Sequence, residues 1–273
     1  MRRPEHGFTL VELAITLVIV GLLVSAILGV SRLRQTAALQ ATVSQMMSYG
    51  TATALFVDRH DALPGDLKGA GSKIPGCPDT AACEADPSAA TTGDGKIGIP
   101  GGIALGQTEQ SAPERETQLF WTHLYLSDLI IGITDTAVSG TPPAIAWGQS
   151  HPAAPVGGGF HVKDADGGIT TALPGWPPGA NQPSGTFLVL QSVIDADLFP
   201  APPDQQTLTP LDAAWIDRKL DDGNPLRGHV LGYGTTGSVF TGPGCFDWIA
   251  LDRSQYDEST EARNCGIAYR LAP

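Results

Sequence analysis

The chain has 273 residues, of which 33 are glycine and 22 are proline, so about a fifth of it favours turns and loops. It carries 16 Lys and Arg against 28 Asp and Glu, a formal net charge of −12. This balance argues against a nucleic-acid-binding protein, because that class needs a basic surface.

An apolar segment of 23 residues, from Phe8 to Val30, contains one charged residue, Glu12. As a helix it measures roughly 34 Å, enough to cross the hydrocarbon core of a bilayer. It has three interpretations: a cleaved secretory signal with a site at residues 24–26, an uncleaved anchor, or a processed assembly segment. Neither of the first two explains Glu12, because a carboxylate inside a membrane segment costs at least about 2.5 kcal/mol and usually marks function.

The residues Gly7-Phe8-Thr9-Leu10-Val11-Glu12 favour the third interpretation. They closely resemble the processing site of type IV pilins and type II secretion pseudopilins. The resemblance implies a polar leader over residues 1–7, which a prepilin peptidase removes between Gly7 and Phe8. It also implies that Phe8 becomes the N-methylated first residue of the mature protein and that Glu12 becomes its fifth residue.

A physical argument supports a role for Glu12. After cleavage, the amine of Phe8 is a cation at a helix N-terminus, where the helix dipole is already positive. That charge is costly in lipid, and a carboxylate neutralises it from the same helix or from a neighbouring subunit. The resemblance implies that the glutamate of a neighbouring subunit meets the incoming amine during assembly.

The apolar segment continues into a long predicted stem helix over residues 8–62, with a transmembrane segment at 8–30. No proline occurs between Leu33 and His60, and alanines favour the helix. Pro64 and Gly65 then end it in a turn. Apolar and small residues recur at helical spacing and predict a packed side: they are Leu39, Val43, Met46, Gly50, Thr53 and Val57.

Residues 63–273 are predicted to form a loop-rich head of α+β class, with short helices and a small antiparallel sheet. One helix is predicted over about 112–131, and another begins at Pro210 after the capping residue Thr209. Strands are predicted over 187–194, about 245–251 and about 265–271. Residues 139–184 show no apolar repeat and are predicted to be irregular.

The four cysteines, Cys77, Cys83, Cys245 and Cys265, allow three pairings. Their spacing does not match a zinc site, and local pairing of the first two and of the last two is the most economical. The resemblance adds that many type IV pilins bracket a C-terminal loop with a disulfide. Disulfides place the head in an oxidising compartment.

Metal and catalytic motifs are incomplete or missing. Asp94, and the pair Asp164 and Asp166, each precede a glycine as in part of a calcium loop, but both loops lack other ligands. The resemblance to pseudopilins, which bind calcium in the head, keeps these aspartates as candidates beside the simpler interpretation as solvated turn residues. A further acidic group lies in the C-terminal disulfide loop: Asp247, Asp252, Asp257 and Glu258. No catalytic residue and no other cofactor is predicted.

The sequence therefore predicts a structural pilin-like subunit and not an enzyme. The partners that the resemblance implies are the prepilin peptidase, other pilin or pseudopilin subunits through the stem helix, the inner-membrane assembly platform and the inner membrane itself. The head is expected in the periplasm, and later in a periplasmic or cell-surface filament. A pseudopilus and a type IV pilus both remain open. The alternative class is a membrane-anchored periplasmic enzyme or ligand-binding domain.

Overall fold

In the computed structural model, the described residues are 9–78, 83–84, 92–97, 116–134, 146–166, 184–192, 206–234, 244–247 and 254–272. The side chains of 26–32, 163, 165, 166 and 272 are not described. Gly7, Phe8 and Asp252 lie outside the described residues.

The stem is one helix, α1, which runs for 51 residues over Leu10–His60 and is about 76 Å long. Thr9 is its N-cap, and Asp61 ends it in the left-handed conformation (φ 53°) while its N–H still donates to Val57 O at 2.8 Å. The predicted stem helix is therefore confirmed to within two residues at each end.

The two parts of α1 have different surroundings. Every side chain from Thr9 to Ser25 is exposed, whereas Leu39, Val43, Met46 and Phe56 are buried against the head. Val57, which the predicted packed side included, is 36% exposed. The 3.6-residue period turns Val57 outward and gives the buried position to its neighbour Phe56.

No helix within the described residues is both long enough and apolar enough to span a membrane. The predicted transmembrane segment at 8–30 is therefore not supported by the structure.

The head combines short helices with antiparallel strands, so the predicted α+β class is confirmed. In chain order the described elements of the head are α2 (Ala70–Lys73), α3 (Glu116–Leu126), β1 (Gly159–Asp166), β2 (Ser184–Gln191), α4 (Pro210–Leu220), β3 (Val230–Tyr233), β4 (Phe246–Asp247), β5 (Gln255–Tyr256) and β6 (Gly266–Ala272). A four-stranded sheet, in the order β1-β2-β6-β3, lies beside a two-stranded ribbon of β4 and β5.

Sequence patterns predicted some of these elements better than others. α4 starts at Pro210 after the Thr209 cap, as expected. α3 ends at Leu126, before the predicted end, because Asp128 adopts a left-handed conformation (φ 57°). The expectation of irregular structure over 139–184 was wrong for β1, which is an edge strand. Phe160, His161 and Val162 are all buried, so both faces of the strand are covered here and burial does not alternate along it.

The stem packs on the head through aromatic side chains. The ring of Tyr49 meets Trp121 of α3 and Phe160 of β1 edge to face, with ring centres 5.1 and 5.5 Å apart. Because Gly50 has no side chain, Tyr269 of β6 can pack closely against the stem; a Cβ at this position would lie 3.3 Å from the Tyr269 ring. The second half of α1 is therefore part of the hydrophobic core of the head.

Candidate functional site

The N-terminus of α1 is closed by a capping box between Thr9 and Glu12. The Thr9 N–H and hydroxyl both donate to Glu12 Oε2, at 3.0 and 2.9 Å, and the Glu12 N–H donates to Thr9 Oγ1 at 3.3 Å. This arrangement satisfies two of the free N–H groups of the first turn. It also holds the Glu12 carboxylate at the helix end that follows the predicted cleavage point.

The first part of α1 presents apolar side chains in every direction. Its large apolar side chains are between 51% and 84% exposed. They are Leu10, Val11, Leu13, Ile15, Leu17, Val18, Ile19, Val20, Leu22, Leu23 and Val24. A continuous apolar surface of this kind marks a site of interaction with a membrane or another protein.

The exposed side of the second part of α1 is different. No charged residue occurs from Gln35 to Val57. Many of its exposed side chains are small, and they recur at helical spacing, so another helix can approach closely. They are Ala37, Ala41, Ser44, Ser48, Thr51 and Ala54.

Both disulfides join cysteines that are near in sequence. Cys77 pairs with Cys83 and Cys245 pairs with Cys265, with Cα atoms 5.6 and 4.8 Å apart, and no cysteine is free. These are the two local pairs that were the most economical of the three pairings allowed by the sequence. The second disulfide attaches the β4–β5 ribbon to the residue that precedes β6.

His123 links the end of the stem to the first disulfide loop. Its Nδ1 accepts the Gly65 N–H at 2.9 Å, so Nε2 carries the proton and donates to Cys83 O at 2.7 Å. The ring is fully buried and stacks on Phe56 at 6.0 Å. Burial lowers the pKa of His123 to about 4, so the ring is neutral near pH 7. Its role is structural.

Among the predicted calcium residues, Asp94 and Asp164 have protein partners. Asp94 Oδ1 accepts the Lys96 N–H at 2.9 Å, and Asp164 Oδ2 accepts the Thr186 hydroxyl at 3.1 Å. The loop around Asp94 turns its N–H groups towards the carboxylate of Asp66, which accepts from Gly93 and from Gly95, the latter at 2.8 Å. A ring of N–H donors is suited to an anion. The side chain of Asp166 is not described.

The acidic residues of the C-terminal loop are not gathered into one site among the described residues. Asp257 accepts hydrogen bonds from the hydroxyls of Ser259 and Thr260, both at 2.6 Å, and these bonds lower its pKa. Glu258 forms an ion pair with Arg218 of α4. Asp247 is exposed on β4.

A group of aspartates that sequence reasoning did not select as a site lies at the C-terminal end of α4. One carboxylate oxygen from each of Asp217, Asp221 and Asp222 lies within 4.8 Å of the others. Burial raises the pKa of Asp217 to about 6, and its two oxygens accept from the Tyr256 hydroxyl at 2.8 Å and the Gly223 N–H at 3.0 Å.

The other two aspartates also bond to the backbone. Asp221 accepts from the Val230 N–H at 3.1 Å, and Asp222 accepts from the Asn224 N–H at 2.8 Å. In the sequence, this group could have been recognised from the presence of three aspartates within six residues. In the structure these carboxylates fix the turn between α4 and β3.

Comparison with known protein families finds a match at the N-terminal part of the chain. The family described as "Prokaryotic N-terminal methylation motif" matches residues 2–28. No curated protein and no solved structure matches the chain. The matched residues contain Gly7, Phe8 and Glu12 and run into α1. The chain therefore carries, at its N-terminus, the methylation motif that is the hallmark of the prepilin-type signal of type IV pilins and pseudopilins.

Proposed function

We propose that this chain is a structural pilin-like subunit, cut by a prepilin peptidase between Gly7 and Phe8 and then methylated on Phe8. The observation that carries the proposal is the methylation motif over residues 2–28, which continues into a helix of 51 residues. In this proposal residues 8–62 are the stem and residues 63–273 are the head.

Before assembly, the stem holds the subunit in the inner membrane through residues 8–30, with the head in the periplasm. Support comes from the exposed apolar side chains over residues 10–25, which nothing in the described head covers. An apolar rod of this kind gains free energy from lipid tails or from other apolar rods. The same surface therefore serves first in the membrane and then in the filament core.

Assembly uses Glu12. Cleavage creates a cationic amine one helical turn before Glu12, and the capping box already directs that carboxylate to the helix end. In a filament, the Glu12 carboxylate of one subunit neutralises the amine of a neighbour and selects the axial register between the two stems.

Within this class, we propose a minor or large-headed subunit of a type II secretion pseudopilus or a type IV pilus. The acidic balance of the chain, net −12, opposes broad DNA binding by the head. Detection of the chain on filaments sheared from the cell surface would identify a pilus. Its restriction to the periplasm would identify a pseudopilus.

The experiment that tests the proposal compares wild type with Glu12→Ala and with Asp58→Ala, a control that removes an exposed carboxylate from the other end of the same helix. We expect equal cleavage of all three chains and a loss of at least about tenfold in filament incorporation for Glu12→Ala only, since an unpaired buried amine costs several kcal/mol. Normal incorporation of Glu12→Ala would contradict the proposed role of Glu12.

A further inference from the structure

A groove lies between the stem helix and the turn that follows α3. Its volume is about 580 Å³. Ala41, Ser44 and Ser48 line the stem side, and Asp128 and Ile131 line the other side. The proposed roles of the cleavage site, of the apolar segment and of Glu12 do not involve this groove.

The turn gives the groove an apolar side chain beside a negative charge. Ile130 is 7% exposed and enters the core, but the next residue, Ile131, is 86% exposed. Asp128 is exposed as well, in a left-handed conformation (φ 57°) that reverses the chain after α3. Within the described part of the chain, the Asp128 carboxylate makes no hydrogen bond and no ion pair.

The stem carries the counterpart of this pair, an exposed apolar side chain next to a positive charge. Leu33 is 71% exposed, and its neighbour Arg34 is exposed too. Over the residues that the structure describes, Arg34 forms no ion pair. No charged residue follows Arg34 on the stem before Asp58, so Arg34 is the last charge before a long neutral surface. An exposed leucine next to an arginine thus matches an exposed isoleucine close to an aspartate.

We propose that this groove receives Leu33 and Arg34 of a second copy of the same chain. The Arg34 guanidinium pairs with the Asp128 carboxylate, and Leu33 packs against Ile131 and Ala41. This inference rests on the proposed function in its large-headed form, in which copies of this chain adjoin one another in the filament, because it names the contact by which one stem docks beside another. The two stems run parallel, since the apolar residues 10–25 of both copies must be covered together.

The contact fixes an axial offset between these two copies, which are a different pair of neighbours from the two that Glu12 joins through the amine of Phe8. Residues 33–34 of one stem lie level with residues 44–45 of the other, a displacement of about 11 residues or roughly 16 Å along the helix axis. The small neutral side chains Ala41, Ser44 and Ser48 let the second helix approach closely. A shift of a few residues in either direction would move Arg34 along residues 35–57 of the other stem, which carry no charge.

The two parts of the contact contribute differently. Covering Leu33 and Ile131 removes apolar surface from water and supplies most of the attraction. The ion pair lies at the exposed rim, where it selects the register more than it adds affinity. Reversal of the charges is therefore a direct test of which residues meet.

The first test uses the full chain in cells that assemble it, with charge reversals in four variants, one of them a control. We expect Arg34→Glu and Asp128→Arg each to lower filament incorporation about fivefold. The double variant, with both charges exchanged, should recover at least half of the wild-type level. Arg59→Glu, on the exposed end of the same helix, is the control and should assemble normally. Failure of the double variant to recover would overturn the proposed pair.

The second test uses proximity. With Leu33→Cys and Ile131→Cys in one chain, mild oxidation of assembled filaments should yield a ladder of cross-linked copies, and either single substitution should yield no ladder. Filaments without a ladder, or cross-links to a different protein, would overturn this inference and leave the proposed function intact. Absence of the wild-type chain from any filament would instead contradict the proposed function.

Discussion

Leu17 and Phe56 lie on the same helix, α1, but in opposite surroundings. Leu17 is 65% exposed, as are its apolar neighbours in the first part of the helix, whereas Phe56 is 0% exposed and contacts the rings of His60 and His123. The chain's own head covers the apolar side chains on the buried side of the second part of the stem. The first part is not, so its apolar side chains must be covered by something outside the described head.

The sharpest test of this comparison removes a large side chain from each part. Phe56→Ala should lower the free energy of unfolding of the head by about 3 to 5 kcal/mol, because it leaves a cavity in the core. Leu17→Ala should change it by less than about 0.5 kcal/mol. Denaturant unfolding of the detergent-solubilised chain measures both changes. A similar loss for the two variants would show that the first part of the stem also packs on the head.

The disulfides allow a second test, confined to the head. Replacing both Cys245 and Cys265 by serine should cost about 3 kcal/mol, and replacing both Cys77 and Cys83 about 2 kcal/mol, because the cysteines are 20 and 6 residues apart and the longer loop loses more entropy on closure. Thermal unfolding with and without the substitutions measures this. Neither change should alter cleavage after Gly7. Impaired cleavage would contradict the view that processing at the start of the stem does not depend on the stability of the head.

A third test concerns His123 and has its effect only below pH 6.5. Its pKa is about 4 in the folded head, against an ordinary value of 6.5 for an exposed histidine, so below pH 6.5 the unfolded chain binds the proton first. The stability that the neutral ring contributes is therefore lost as the pH falls from 6.5 towards 4, by a total on the order of 3 kcal/mol. Asp217 has a raised pKa and acts in the opposite direction, so the wild-type curve alone does not separate the two groups.

The His123→Gln variant isolates the histidine, because Asp217 is unchanged in it. Glutamine keeps a donor and an acceptor but does not titrate in this range. The stability difference between wild type and His123→Gln should narrow as the pH falls from 6.5 to 4. Two curves that stay parallel over this range would show that His123 is not buried as the structure has it.

The sequence predicted the parts of the fold that depend on local signals. α1 followed from an uninterrupted helical pattern, and α4 from the capping threonine before Pro210. β1 was missed because residues 160–162 are all buried, including His161, so the strand lacks the alternation that identifies a half-exposed strand. The buried side of α1 was predicted from spacing alone, which selected Val57 where the head in fact packs on Phe56.

The candidate site also has features that the sequence predicted and features that it did not. The methylation motif is a short continuous pattern, so Gly7, Phe8 and Glu12 were visible in the sequence. The roles of His123, Asp66 and Asp217 were not, because each depends on partners that are far away in the chain, such as Cys83, Gly93 and Tyr256. The groove beside Asp128 depends on a turn whose direction comes from one left-handed residue.

The central claim is that the uncovered first part of the stem begins at a processed residue. Mass spectrometry of the N-terminal peptide from the mature chain tests this most directly. We predict a peptide that starts at Phe8 and carries one methyl group on its amine. A peptide that retains residues 1–7, or one that starts at Ile27 after a secretory cleavage, would contradict the account.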